Sequence, residues 1–97
     1  MCGICGFNFE DRELVKEMSD VLIHRGPNSN GIYTDKNISL GFRRLSIIDL
    51  SENGNQPMLS KNGNLVLVFN GEIYNFMEIR EKLEAKGYSF ASNTDSE

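Results

Sequence analysis

The sequence predicts an α+β fold, and three observations carry that expectation. Leu14, Val15, Met18, Val21 and Leu22 recur at helical period, one apolar stripe along a segment of mixed charge. Ile38, Leu40 and Phe42 alternate with Ser39, Gly41 and Arg43 at the period of a strand. Leu65 to Phe69 is an unbroken apolar run between two Asn-Gly pairs, Asn62-Gly63 before it and Asn70-Gly71 after it. At 97 residues the chain has room for one small domain.

Taken in order, residues 3–9 (GICGFNF) pass from small residues to alternating aromatics and suit a short strand. The segment Glu10 to Arg25 reads as a helix with Asp11 as N-cap, acids crowding its start, and His24 in its last turn before the stop Gly26-Pro27. Asn28 to Phe69 is a region of strands and turns. Within it the 38–43 alternation implies one buried apolar face and one polar face, 45–49 continues extended, and 51–57 (SENGNQP) is a loop. Asn62-Gly63 marks a hairpin turn into 65–69, which lacks a polar face and is expected as a central strand covered on both sides. A second helix should open at Asn75, with Glu78 completing a capping box, Phe76, Ile79 and Leu83 on its buried stripe, and Gly87 as its stop. Tyr88-Ser89-Phe90 reads as a further strand. Thr94-Asp95-Ser96-Glu97 repeats the capping-box pattern that opens a helix, so a truncated domain is expected.

Composition excludes several classes of function. Ten Lys and Arg stand against fourteen Asp and Glu, a formal net charge of −4, which gives no electrostatic footprint for a nucleic-acid backbone. The longest apolar run falls far short of the ~20 residues that a membrane-spanning helix needs. The start MCGICG lacks the basic and apolar regions of an export signal. Two cysteines are no disulfide framework, and a reducing, cytoplasmic setting is the expectation.

Cys2 and Cys5 form a C-x-x-C pair. A redox motif of this type belongs after a strand at a helix start, and a structural zinc site needs about four soft ligands. Both remain open alongside two small buried cysteines. Cys2 also follows the initiator Met1, whose removal would leave one residue with a thiol and a free α-amine, groups whose reference values are about 8.5 and about 7.7–8.0. Such a residue supplies nucleophile and base together. Asn70-Gly71 is one of four Asn-Gly pairs and could be a simple turn. Yet it runs into a helix cap, and an amide side chain beside an unhindered glycine N–H makes a pair of oxyanion donors. Arg44 is either a solvated edge charge or a bidentate carboxylate grip. Asp95 is either a first-turn residue or a partner for an ammonium group. An arginine for a carboxylate and an aspartate for an ammonium together describe an α-amino-acid pocket.

The motifs Met1-Cys2-Gly3-Ile4 with Gly6, HRGPN at 24–28 with Gly31 and Ile32, RLSIID at 44–49, QPM at 56–58, FNGEIYN at 69–75 and TDSE at 94–97 span the chain. In that order they resemble the N-terminal glutaminase domain of class II glutamine amidotransferases, in the form found in glutamine-hydrolysing asparagine synthetases. Two positions depart from the family's usual pattern: Asn28 stands where Asp is common, and Cys5 where an aliphatic residue is.

The resemblance implies that Cys2 attacks the glutamine carboxamide with its own amine as base. It implies that Asn70 and Gly71 form the oxyanion hole, that Arg44 binds the α-carboxylate and Asp95 the α-ammonium, and that Ile47, Ile48 and Glu72 line the pocket. It implies an N-terminal-nucleophile hydrolase fold, a four-layer α-β-β-α sandwich with antiparallel sheets, of which residues 1–97 would be about the first half, incomplete at the C-terminus. L-glutamine is then the substrate, with no metal or cofactor in this part. ATP and magnesium would serve a separate synthetase domain that converts aspartate to asparagine and whose pyrophosphate loop this chain lacks. The competing expectations are an inactive amidotransferase-like fragment or binding module, and an amidotransferase serving a different ammonia acceptor. Unpaired strand edges and open apolar surface lead to an expectation of self-association.

Overall fold

The computed structural model describes residues 2–45 and 52–97. Strand β1 (Gly3–Phe7), helix α1 (Arg12–Val21), strand β2 (Ser29–Asp35) and strand β3 (Ile38–Arg44) form the main layer pair. The three strands make an antiparallel sheet in the order β1-β3-β2, with Ile4 and Gly31 both opposite Phe42. A hairpin of β4 (Met58–Leu59) and β5 (Val66–Leu67) and a second helix, α2 (Phe76–Ala85), follow. The α+β class and the antiparallel pairing both hold.

Asp11 caps α1 as expected, its carboxylate accepting from the Leu14 N–H at 3.0 Å. The helix is shorter than 10–25 because Gly26 must pass against β3: a Cβ there would lie 2.3 Å from the Arg43 carbonyl carbon. Residues 22–25 therefore leave the helix in turns, and His24 Nδ1 lies 3.2 Å from the Val21 carbonyl at the helix end. The buried face is rotated from the expected stripe. Val15 and Ser19 are fully covered, whereas Val21 is 72% exposed.

That rotation follows from which face of β3 the helix packs on. The face of β3 expected to be solvated, Ser39-Gly41-Arg43, is the one that α1 covers. A Cβ on Gly41 would stand 2.7 Å from Cys5 Sγ and 3.3 Å from both Ser19 Cβ and Val15 Cγ2, so only a bare backbone lets helix and sheet approach. Ser39 is satisfied inside, donating to the Phe9 carbonyl at 2.7 Å and accepting from the Asp11 N–H at 3.0 Å. The apolar face carrying Leu40 and Phe42 points the other way; Phe42 is buried there as expected, whereas Leu40 is half-buried and Ile4 beside it is left 45% exposed. This outer face carries the cleft described below.

The Asn62-Gly63 turn forms with Gly63 at φ 74°, and Asn62 Oδ1 accepts from Ser60 Oγ and the Asn64 N–H. The 65–69 segment is not a covered central strand. Only Val66 and Leu67 pair, and Leu65 is 72% exposed because among the described residues no layer lies over it. Asn75 sits at the α2 N-cap but its φ of −99° and ψ of 27° carry its side chain away from the first turn, and Glu78 pairs instead with Lys82 at 3.0 Å. The expected stripe of α2 is only part-covered, and no residue of the helix is buried.

Gly87, at φ 95°, closes α2 in a Schellman arrangement, with the Tyr88 N–H on the Leu83 carbonyl and the Gly87 N–H on that of Glu84. That closure prevents 88–90 from extending as a strand. The chain folds back along α2 instead, Phe90 lying under the Arg80 guanidinium at 4.8 Å. In residues 94–97 the Thr94 N–H bonds Ser92 Oγ rather than the Glu97 carboxylate of a capping box. The Glu97 carboxylate turns back to accept from the Ala91 N–H, the Ser92 N–H and Ser92 Oγ, closing 91–97 into a loop.

Candidate functional site

A cleft of about 120 Å³ opens on the outer face of the three-stranded sheet, lined by Cys2, Phe42, Arg44, Gln56, Asn70–Glu72 and Thr94–Ser96 among others. It is small beside the ~300–1,000 Å³ that hold drug-sized ligands, and its scale is that of an amino acid. Cys2, Arg44, Asn70, Gly71, Glu72 and Asp95 all line this one cleft. Ile47 and Ile48 lie outside the described residues.

Strand alternation separates the two cysteines. Cys5 faces α1, its Sγ 3.9 Å from the Val15 carbonyl, while Cys2 lines the cleft on the opposite face. Both are free thiols. The C-x-x-C spacing thus places the sulfurs on opposite sides of a sheet, where they cannot share a metal or close on each other. Burial pushes the Cys5 thiol up, with a smaller opposing pull from the Gly41 backbone hydrogen bond, which disfavours its thiolate form. Cys2 Sγ instead meets the Leu45 backbone, accepting from its N–H at 3.3 Å and donating to its carbonyl at 3.6 Å.

Arg44 is no solvated edge charge. It is 5% exposed, on the cleft side of β3, and Arg43 next to it points to the other face, where Nε donates to the Gly26 carbonyl at 3.1 Å. Arg44 Nη1 donates to Asn55 Oδ1 at 2.7 Å, and the same oxygen accepts from Ser29 Oγ at 3.0 Å. Gly54 makes room for the guanidinium: a Cβ there would lie 2.5 Å from Nη2.

Asn70-Gly71 is not a hairpin turn. The backbone leaves β5, bends at Gly71 and enters the turn that precedes α2. A Cβ on Gly71 would sit 2.9 Å from Cζ of the Phe69 ring, which folds beneath it. The bend is pinned at both ends. On one side Phe69 is held by Gln56; on the other, the Ile73 N–H donates to Asp95 Oδ2 at 2.7 Å. Asp95 is therefore fixed by one oxygen while lining the cleft.

Gln56 is the residue that sequence reasoning missed. It is 7% exposed, its Oε1 accepting from the Phe69 N–H at 2.6 Å and its Nε2 within 3.4 Å of the Phe69 carbonyl. Its only sequence signal was membership of QPM within a loop rich in polar residues. Gly31 lets that loop cross β2, since a Cβ there would fall 2.0 Å from the Gln56 carbonyl oxygen. Among the described residues no group of three or more His, Cys, Asp or Glu side chains is placed to hold a metal, and no helix is long and apolar enough to cross a membrane.

Comparison with known proteins places the chain in a family. The model of the glutamine amidotransferase domain matches residues 1–97. Asparagine synthetase [glutamine-hydrolyzing] 1 of Bacillus subtilis is 48% identical over the whole chain, which spans 16% of that relative. The probable asparagine synthetase [glutamine-hydrolyzing] of Dictyostelium discoideum is 40% identical, again over the whole chain and 18% of the relative. Amidase chry2 of Gibberella zeae is 36% identical over the whole chain and 17% of its own length. The chain thus spans about a sixth of these relatives, and it belongs to the glutamine amidotransferase domain family.

Proposed function

We propose that this chain is the glutamine-hydrolysing part of an asparagine synthetase, using Cys2 as an N-terminal nucleophile. The observation that carries the reading is the gathering of a thiol, a buried guanidinium, a carboxylate and an Asn-Gly bend around one cleft of amino-acid size. In this reading Met1 is removed and the Cys2 amine accepts the thiol proton. Arg44 grips the α-carboxylate and Asp95 the α-ammonium of L-glutamine, and Ile47, Ile48 and Glu72 complete the pocket. Sulfur bonds to the side-chain carboxamide carbon, and the oxygen's developing charge meets the Asn70 side chain and the Gly71 N–H. The C–N bond breaks and ammonia departs with the proton, leaving a γ-glutamyl thioester. Water then adds to the thioester and releases glutamate and the free thiol.

The rest of the reading concerns what lies beyond residues 1–97. They form about half of a four-layer α-β-β-α sandwich, whose remaining part would cover the outer face and the β4–β5 hairpin. The ammonia then serves an ATP- and magnesium-dependent domain that converts aspartate to asparagine. The similarity to an amidase keeps a different ammonia acceptor as the second reading. Ammonia release from L-glutamine tests the hydrolytic core. The full-length protein should release it and Cys2→Ala should not, whereas Cys5→Ala should retain most of the rate; turnover by Cys2→Ala would defeat the assignment.

A further inference from the structure

Gln56 lines the cleft, yet its amide group is spent on the backbone of another segment. Its carboxamide binds Phe69 at both polar atoms, with the short 2.6 Å bond to the N–H and the longer 3.4 Å approach to the C=O. This is the pattern a neighbouring strand would supply, delivered by one side chain where the ladder of β5 has already ended at Leu67. Phe69 immediately precedes Asn70 and Gly71, and its ring underlies Gly71. The preceding residue, Asn55, holds Arg44. The loop thus ties the two walls of the cleft through adjacent side chains, while its own backbone is seated on Gly31 of β2.

We propose that Gln56 is a positioning residue for the Asn70–Gly71 donor pair, acting through the Phe69 backbone rather than on substrate. This rests on the hydrolytic reading above. A donor pair preorganised for an oxyanion must keep its place while charge develops, and a displacement of ~1 Å at such a group can cost about a hundred-fold in rate. Gln56 holds the upstream side of the bend through Phe69, and Asp95 holds the downstream side through the Ile73 N–H. A positioning role makes a specific demand. Loss of Gln56 should weaken the binding of tetrahedral species and spare the binding of planar ones.

The test uses the full-length protein with Cys2 at its N-terminus. Gln56→Met keeps side-chain length and removes both contacts; Gln56→Glu keeps an acceptor for the Phe69 N–H. Expected for Gln56→Met are a kcat for ammonia release lower by about ten- to a hundred-fold and an equal loss in affinity for the aldehyde analogue of glutamine. That analogue adds the Cys2 sulfur to its carbonyl carbon, the thiol proton passing to the oxygen, and so presents a tetrahedral centre. Affinity for L-glutamate should change by less than about three-fold, Gln56→Glu should recover part of kcat, and amide hydrogen exchange over Phe69–Glu72 should quicken in Gln56→Met. Unchanged exchange there, or a kcat within about three-fold of the parent, would overturn the proposal, as would an equal loss of glutamate binding. Ammonia release by Cys2→Ala would instead fault the hydrolytic reading itself, leaving the exchange result to judge the clamp alone.

Discussion

Gly31→Ala is the sharpest perturbation of the way the cleft is assembled. The added methyl would lie 2.0 Å from the Gln56 carbonyl oxygen, 2.9 Å from Pro57 Cδ and 3.0 Å from the Gln56 carbonyl carbon. Ordinary contact begins near 3.4 Å, so strand and loop must separate by about 1.4 Å. The strand is the stiffer partner, because β2 is registered against β3 over all of Ser29–Asp35. The loop therefore moves, taking with it Asn55, which holds Arg44, and Gln56, which holds Phe69. On the proposed hydrolytic reading, in which Arg44 grips the substrate and the Asn70–Gly71 pair polarises it, a shift of that size costs about a hundred-fold, close to 2.7 kcal/mol of transition-state stabilisation. The assay is steady-state ammonia release from L-glutamine in the full-length protein, with circular dichroism to follow the fold. A kcat/KM within three-fold of the parent, in a variant that melts normally, would refute this chain of reasoning.

Three further expectations follow from the same structure. Gly41→Ala should destabilise the sheet–helix contact by about 1–3 kcal/mol, read as a lower urea midpoint, since its methyl would press on Cys5, Ser19 and Val15. Burial works to raise the Glu97 pKa, but the Ala91 and Ser92 donors, with Arg80 nearby, outweigh it and hold the carboxyl below its usual range. Its contribution to stability is therefore present above the unfolded carboxyl value of about 4.3 and is lost as pH falls through the lower folded value. The melting temperatures of the parent and Glu97→Gln should differ at neutral pH and converge in acid; a constant gap would contradict this. The 97-residue chain by itself should self-associate through surfaces that include Leu65, Leu67 and Ile4, all at least 40% exposed. Sedimentation velocity checks this, and a monomer with a sharp, reversible, high-temperature melt would count against it.

Local pattern made much of the fold readable. The Asp11 cap, the extended β3 segment, the Asn62-Gly63 turn and the Gly87 stop are each decided within a few residues of sequence, and each forms. Errors arose where a distant partner decides. Alternation showed that β3 has two unlike faces, but the close approach of α1 requires the small one, so Ser39 and Gly41 are inside and Leu40 is not. The apolar run at 65–69 signals burial, yet a strand can only be central if something covers it. Tyr88 to Phe90 has strand-like residues, but the Schellman closure and the Arg80 stack commit it to α2. For the cleft, no periodicity could bring residues 2, 44, 70 and 95 together; the order of the family motifs did that. Gln56 escaped because its role is visible only in the closure of two hydrogen bonds across the loop.

The central claim is that the sulfur of residue 2, freed at the front of the chain, is the nucleophile. A diazo-ketone analogue of glutamine, reacted with the full-length protein and followed by intact and peptide mass measurement, tests it most directly. The account predicts one adduct per chain, located on Cys2 and confined to chains that begin there, with Cys5 unlabelled on the far side of the sheet. Equal labelling of Cys5, or an adduct formed as readily on chains that retain Met1, would contradict it.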